Sequence, residues 1–119
     1  MIVHGGQLGT EKLNDTWIFS FDQNEWAKIK LTKNNAIVPR SGHCAVMVNQ
    51  FMLVFGGEGF LNLPFALNIE TLNVIDLKFK GNFIYGMNGG AASYIVDTNN
   101  LNEKQIICYG GFTNNKLIV

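Results

Sequence analysis

The sequence predicts an all-β protein built from repeated antiparallel strands, and three observations carry that reading. Glycine doublets at Gly5-Gly6, Gly56-Gly57 and Gly110-Gly111 each close a short apolar run, and their first glycines stand 51 and 54 positions apart. The apolar runs are short, rich in β-branched and aromatic residues, and end at Asp, Asn or Gly, as strands do. No window sustains a capped apolar pattern of helical period, so little helix is expected.

The strand-like runs are Trp17-Ile18-Phe19-Ser20-Phe21, Cys44-Ala45-Val46-Met47-Val48, Phe51-Met52-Leu53-Val54-Phe55 and Gln105-Ile106-Ile107-Cys108-Tyr109. Asn49-Gln50 lies between the second and third runs and reads as a two-residue hairpin turn. Asparagine pairs at 34–35, 99–100 and 114–115 sit between apolar stretches. Asparagine favours turns there because it tolerates left-handed backbone and bonds its own main chain. The doublets have a backbone reason as well. Glycine reaches positive φ without steric cost and lets a second chain segment come close.

The first repeat resembles the kelch motif. It runs from Gly5-Gly6 through a polar loop to Asn14-Asp15, the strand Thr16 to Phe21, Asp22 and Trp26, then Pro39-Arg40-Ser41-Gly42-His43, and closes at Val54-Phe55-Gly56-Gly57. A period near 50 residues suits the four-stranded blade of a kelch β-propeller. The second repeat is degenerate. Ile75-Asp76 is matched to Phe21-Asp22, with Phe79 in the tryptophan position. Gly89-Gly90-Ala91 is set against Ser41-Gly42-His43, so the Arg and His are lost, and Tyr109-Gly110-Gly111 restores the pattern.

The resemblance implies antiparallel four-stranded blades in an incomplete kelch-type β-propeller ring. Inner strands are expected at about 43–48 and 91–96, and second strands at about 51–56 and 105–110. Third strands are expected at about 16–21, 70–76 and 116–119, and outer strands at about 25–31 and 79–85. Residues 1–40 then end one blade, 41–86 form a complete blade, and 87–119 form most of a further one. A ring of roughly 4–8 blades needs roughly 200–400 residues at about 50 per blade. Met1 falls within a second strand and Val119 within a third, so the sequence is expected to be a piece of a longer protein or a truncated gene product, its ends pairing with missing repeats, with each other or with a second copy.

Composition narrows the function. Charged residues are 15% of the chain and formally balanced, which offers no basic footprint for nucleic acid or a membrane surface. No run approaches the ~18 apolar residues of a membrane helix, and no leader peptide is evident. Cys44 and Cys108 lie within apolar runs and read as buried free thiols. His4 stands where Phe55 and Tyr109 stand in the other repeats and reads as a packing residue. By the resemblance, His43 is a structural histidine bonded to main chain. Two histidines and two scattered cysteines give no metal-ligand spacing, and Asp15, Asp22, Asp76 and Asp97 all fall at strand ends or turns.

Structural roles are therefore expected for Gly5, Gly6, Trp26, Arg40, His43, Gly56, Gly57, Gly110 and Gly111, with Trp17 also in blade packing. The loop Glu58 to Phe65 is different, because it follows a doublet yet carries Phe60, Leu61, Leu63 and Phe65. Such an apolar loop either folds back over its own or the next blade or marks a partner surface. The expected function is a cytoplasmic protein–protein interaction scaffold that binds its partner through these loops, with no catalytic residues and no cofactor. The alternative is part of a kelch-like enzyme of oxidase, epimerase or lyase type, whose site would draw on several blades. The sequence names no partner, pathway or attached domain.

Overall fold

The computed structural model describes residues 1–32, 37–59, 63–78, 87–96, 104–113 and 116–117. Among them the chain is all-β, without helix. The first sheet holds β1 (Ile2–Leu8), β2 (Glu11–Ser20) and β3 (Glu25–Ile29), each antiparallel to the last. The second holds β4 (Arg40–Val48), β5 (Phe51–Gly59), β6 (Phe65–Asn68) and β7 (Val74–Asp76) in that spatial order. A third sheet pairs β8 (Ala91–Val96) with β9 (Lys104–Tyr109), and β10 (Phe112–Thr113) pairs with β11 (Lys116–Leu117).

Turn chemistry sets the registers. Asn49 takes positive φ, 52°, between the paired residues Val48 and Phe51, as the expected hairpin requires. Asn24, with φ 55°, does the same between β2 and β3. The Asn68 side chain accepts hydrogen bonds from the Glu70 and Thr71 amides, at 2.9 and 3.0 Å, and so ends β6 and turns the chain into β7.

The strand order corrects the reading of the second repeat. The third strand is β6, at 65–68, and Val74–Asp76 is the strand outside it, not part of a third strand over 70–76. Val54 pairs with Phe65 as Val3 pairs with Trp17, and Leu67 pairs with Val74 as Phe19 pairs with Trp26. Val74 therefore holds the tryptophan position assigned to Phe79. The cause is burial: Phe65, Ala66 and Leu67 are all buried, so β6 lacks the alternation that marks a strand in sequence. Phe79 and the expected outer strand at 79–85 lie outside the described residues, as do Ile118 and Val119.

A second correction is one of register. Cys44 pairs with Phe55 and Ala91 with Tyr109, so Asn88-Gly89-Gly90 matches Ser41-Gly42-His43, and Arg40 matches Met87. Gly42 and Gly89 both take positive φ, 63° and 74°, as equivalent positions should.

Two apolar layers bind the sheets face to face. Met52, Val54, Phe65 and Leu67 pack with Ile2 and Leu31 between the first and second sheets. Cys44, Phe55 and Met87 pack with Val46, Ala92 and Ile106 between the second and third. All six glycines of the three doublets have positive φ. A Cβ on Gly56 would lie 2.5 Å from the Met87 carbonyl oxygen, and one on Gly5 would lie 2.8 Å from that of Arg40. The same close approach brings the Gly57 amide to the Met87 carbonyl at 2.6 Å. Gly110 has φ 70°, but a Cβ there would meet no described atom within 4 Å.

This contrast yields a prediction. Gly56→Ala combines left-handed strain with a backbone clash and is expected to cost more than about 2 kcal/mol. Gly110→Ala carries the strain alone and is expected to cost about 1 kcal/mol. Urea denaturation of the two variants checks the difference.

Candidate functional site

The buried polar side chains among the described residues gather at the joint between the first and second sheets. His4 on β1, Thr16 on β2, and Arg40 and Ser41 on β4 are all buried. Cross-strand register puts His4 beside Thr16, and their Nδ1 and Oγ1 atoms share a hydrogen bond of 2.8 Å. His43 is half-buried, and its ring bonds to the His4 main chain. The two imidazole rings lie 5.7 Å apart, edge to face. Phe65 packs edge-on to His4 at 5.2 Å.

Arg40 closes the cluster. Its side chain is wholly buried; it donates to the Leu63 carbonyl at 2.9 Å, reaches the Gly56 carbonyl at 3.5 Å, and stacks over Phe65 at 5.5 Å. A guanidinium stays charged at neutral pH, and burial here pulls its pKa down without removing that charge. Both histidines are pushed toward the neutral form. Burial, then His43 and Arg40, lower His4 to about 4, and burial and Arg40 lower His43.

The exposed rim beyond this joint is where the sheets meet solvent. Ser41 Oγ donates to Gln7 Oε1 at 3.1 Å, and Lys12 pairs with Glu58 at 3.3 Å, each contact linking the two sheets. Leu8 is 72% exposed at the tip of the β1–β2 hairpin, and Leu63 is 39% exposed on a backbone held by Arg40. Phe65, expected beside Leu63 on an apolar loop, is instead 0% exposed in β6, where it packs against His4 and under Arg40. It contributes to the core and offers no contact surface. Phe60 and Leu61 lie outside the described residues.

Leu8 was not among the candidates, although it sits two residues beyond the Gly5-Gly6 doublet, through which β1 continues. Only the hairpin register, Leu8 opposite Glu11, reveals that it caps the turn.

The tryptophans also depart from expectation. Trp17 and Trp26 are 36% and 48% exposed, on the sheet face opposite the joint. Trp17 donates to Asp15 at 2.8 Å under the Lys28 ammonium, and Trp26 packs on Phe19 at 5.1 Å. Of the equivalent residues of the second sheet, Phe65 is buried and Val74 partly buried, because the first sheet covers them; no described residue covers this face of the first sheet. Cys44 is buried and burial raises its thiol pKa, whereas Cys108 is exposed, which corrects the expectation of two buried thiols. Among the described residues, no three His, Cys, Asp or Glu side chains gather as a metal site would need.

The chain resembles known proteins in the region that forms these sheets. The family model described as the KLHDC2/KLHL20/DRC7 Kelch-repeats domain matches residues 1–118. A host cell factor from Drosophila melanogaster is 39% identical over 90 residues, which is 66% of this chain and 6% of that protein. A Rho GTPase-activating protein, gacHH, from Dictyostelium discoideum is 34% identical over 55 residues, 46% of this chain and 4% of that protein. The chain thus spans a small part of the length of both relatives.

The buried arginine gives the second prediction. Arg40→Ala leaves the Leu63 carbonyl without that donor and removes packing from Phe65. It is expected to destabilise by about 2–4 kcal/mol. Arg40→Met, which copies the residue at the matching position of the next joint, keeps the packing and is expected to cost less. Equilibrium denaturation at pH 7 compares them.

Proposed function

The chain belongs to the kelch-repeat family, and from that premise we propose that it is a protein-binding scaffold, a propeller segment whose loops carry the contact surface. In this reading residues 1–40 end one blade, 41–86 form a complete blade and 87–119 most of a further one. The remaining repeats lie in a longer chain. The protein acts in the cytoplasm, without catalysis and without cofactor, on a protein partner rather than nucleic acid or lipid.

The observation that carries the proposal is the apolar rim. Leu63 presents its side chain to solvent on a main chain pinned by buried Arg40. An exposed apolar side chain on a fixed backbone contributes to binding with little ordering cost, which is how interface anchors work. Leu8 lies past the first doublet as Leu63 lies past the second, and Lys12–Glu58 and Ser41–Gln7 tie the two sheets together beside them. In this reading Phe60 and Leu61, which lie outside the described residues, add to the contact surface. The partner surface that fits is apolar at its centre, with polar groups to meet the Lys12–Glu58 pair.

A photo-crosslinking residue at position 63 of the full protein tests the proposal in cells. A protein adduct is expected, and Leu8→Asp should reduce its yield at least about tenfold while changing stability by less than about 0.5 kcal/mol. The same crosslinker at Gln50, at the opposite end of the strands, is the control. Equal yield from both positions, or no effect of Leu8→Asp, would count against the rim as the binding surface.

A further inference from the structure

The chain holds two joints between sheets, built on one backbone frame and filled with different chemistry. His4 in the first corresponds to Phe55 in the second, Arg40 to Met87, His43 to Gly90 and Thr16 to Pro64. The second joint is apolar, with Cys44, Phe55 and Met87 at its centre. The first places two titratable rings beside a buried cation.

We propose that the first joint is an acid-sensitive latch, in which proton uptake by the His4–His43 pair beside Arg40 loosens the first sheet from the second and leaves the second joint closed.

The geometry argues for it at the level of single atoms. Nε2 of His4 and Nδ1 of His43 are buried without a hydrogen-bond partner among the described residues. In the neutral rings these positions can remain bare acceptors. Protonation turns each into a charged donor with nothing to receive it, a state far more costly in the interior than an unfilled lone pair. The rings are 5.7 Å apart, so a second proton also meets the first.

The surrounding charges oppose protonation. His43 and Arg40 on β4 act on His4, and Arg40 acts on His43; all are cationic when protonated. Asp15 on β2 is the carboxylate that favours a charged His4. It is already engaged by the Trp17 indole at 2.8 Å and by Lys28 at 3.3 Å. Lys12 on β2 and Glu58 on β5 span the rim of the same joint but pair with each other. Phe65 from β6 supplies only its ring.

The sign follows from the lowered values. The folded state prefers neutral histidine, so the unfolded or opened state binds more protons. The stabilisation is complete above the ordinary histidine pKa, near 6.5, and is lost as pH falls from there toward 4. For His4 alone, moving from pH 7 to pH 5 shifts the opening equilibrium roughly twentyfold. Histidine pairs that charge in this range are established triggers of interface opening.

Native-state hydrogen exchange on the full protein at pH 7 and pH 5, corrected for intrinsic rates, tests the latch. Protection of the β1 and β2 amides, and of Arg40 to Cys44, should fall at least about tenfold. The Gly57 and Gly89 amides, which bond to Met87 and Gly42 across the second joint, should keep theirs. His4→Phe, which copies Phe55, should abolish most of the pH effect. The chain has two histidines, so ring titration by NMR reads both directly, whether or not the variant folds. Equal loss of protection at both joints would overturn the proposal. So would rings that titrate near 6.5 in the folded protein, or a pH effect that survives in His4→Phe.

Discussion

The structure depends on the contact of main chain with main chain where one sheet meets the next. At Gly5 and Gly56 a carbonyl from the following sheet comes within the distance a Cβ would occupy. That approach is open only to glycine, and the left-handed φ at these positions disfavours most other residues for a second reason. Once the backbone contact is fixed, the spacing of the sheets is fixed. The side chains at positions 4 and 55, and at 40 and 87, are then carried into the gap whatever they are.

This explains how the second repeat can lose most of its signature and keep its place. Met87 and Gly90 share neither charge nor hydrogen-bonding with Arg40 and His43. Yet Gly57 still bonds to the Met87 carbonyl and Gly89 to the Gly42 carbonyl, at 2.6 and 2.7 Å. The frame is carried by peptide groups, and the side chains in the gap need only fill it. Arg40 fills it with an aliphatic stem and donates to the Gly56 and Leu63 carbonyls, and Met87 fills it with a flexible thioether. The cost of substituting polar groups there is that their hydrogen bonds must all be found locally. At the first joint Thr16 and the Leu63 carbonyl provide two of them.

What was legible in the sequence divides along the same line. The doublets, the Asn49 turn and the inner strands were readable because each depends on a local backbone requirement that only a few residue types meet. The kelch resemblance rested on these together with the motif residues from Asp15 to His43, not on spacing alone. The third strand of the second sheet was not readable. Phe65 to Asn68 is short and buried on both faces, so a loop and a strand look alike there. Matching Ile75-Asp76 to Phe21-Asp22 followed a dipeptide where cross-strand register decides. For the site, His43 and Arg40 could be named from the motif. Their union with His4 and Thr16 could not, since neither partner belongs to the same stretch of chain. The one available sign was that a histidine occupies a position held elsewhere by Phe55 and Tyr109. Leu63 and Phe65 are two residues apart and looked alike in sequence. They differ because one stands before β6 and the other begins it.

Both tryptophans of the chain, Trp17 and Trp26, lie on the first sheet. Their indoles sit near Lys28, Asp15 and Phe19 and on the far side of that sheet from the histidines. The chain therefore carries an optical probe of one sheet and no equivalent probe of the others. An emission-monitored melt follows the first sheet, whereas backbone dichroism averages every strand. If the sheets come apart in sequence rather than together, the two signals will separate, and the gap between them will measure how far cooperativity passes from one sheet to the next.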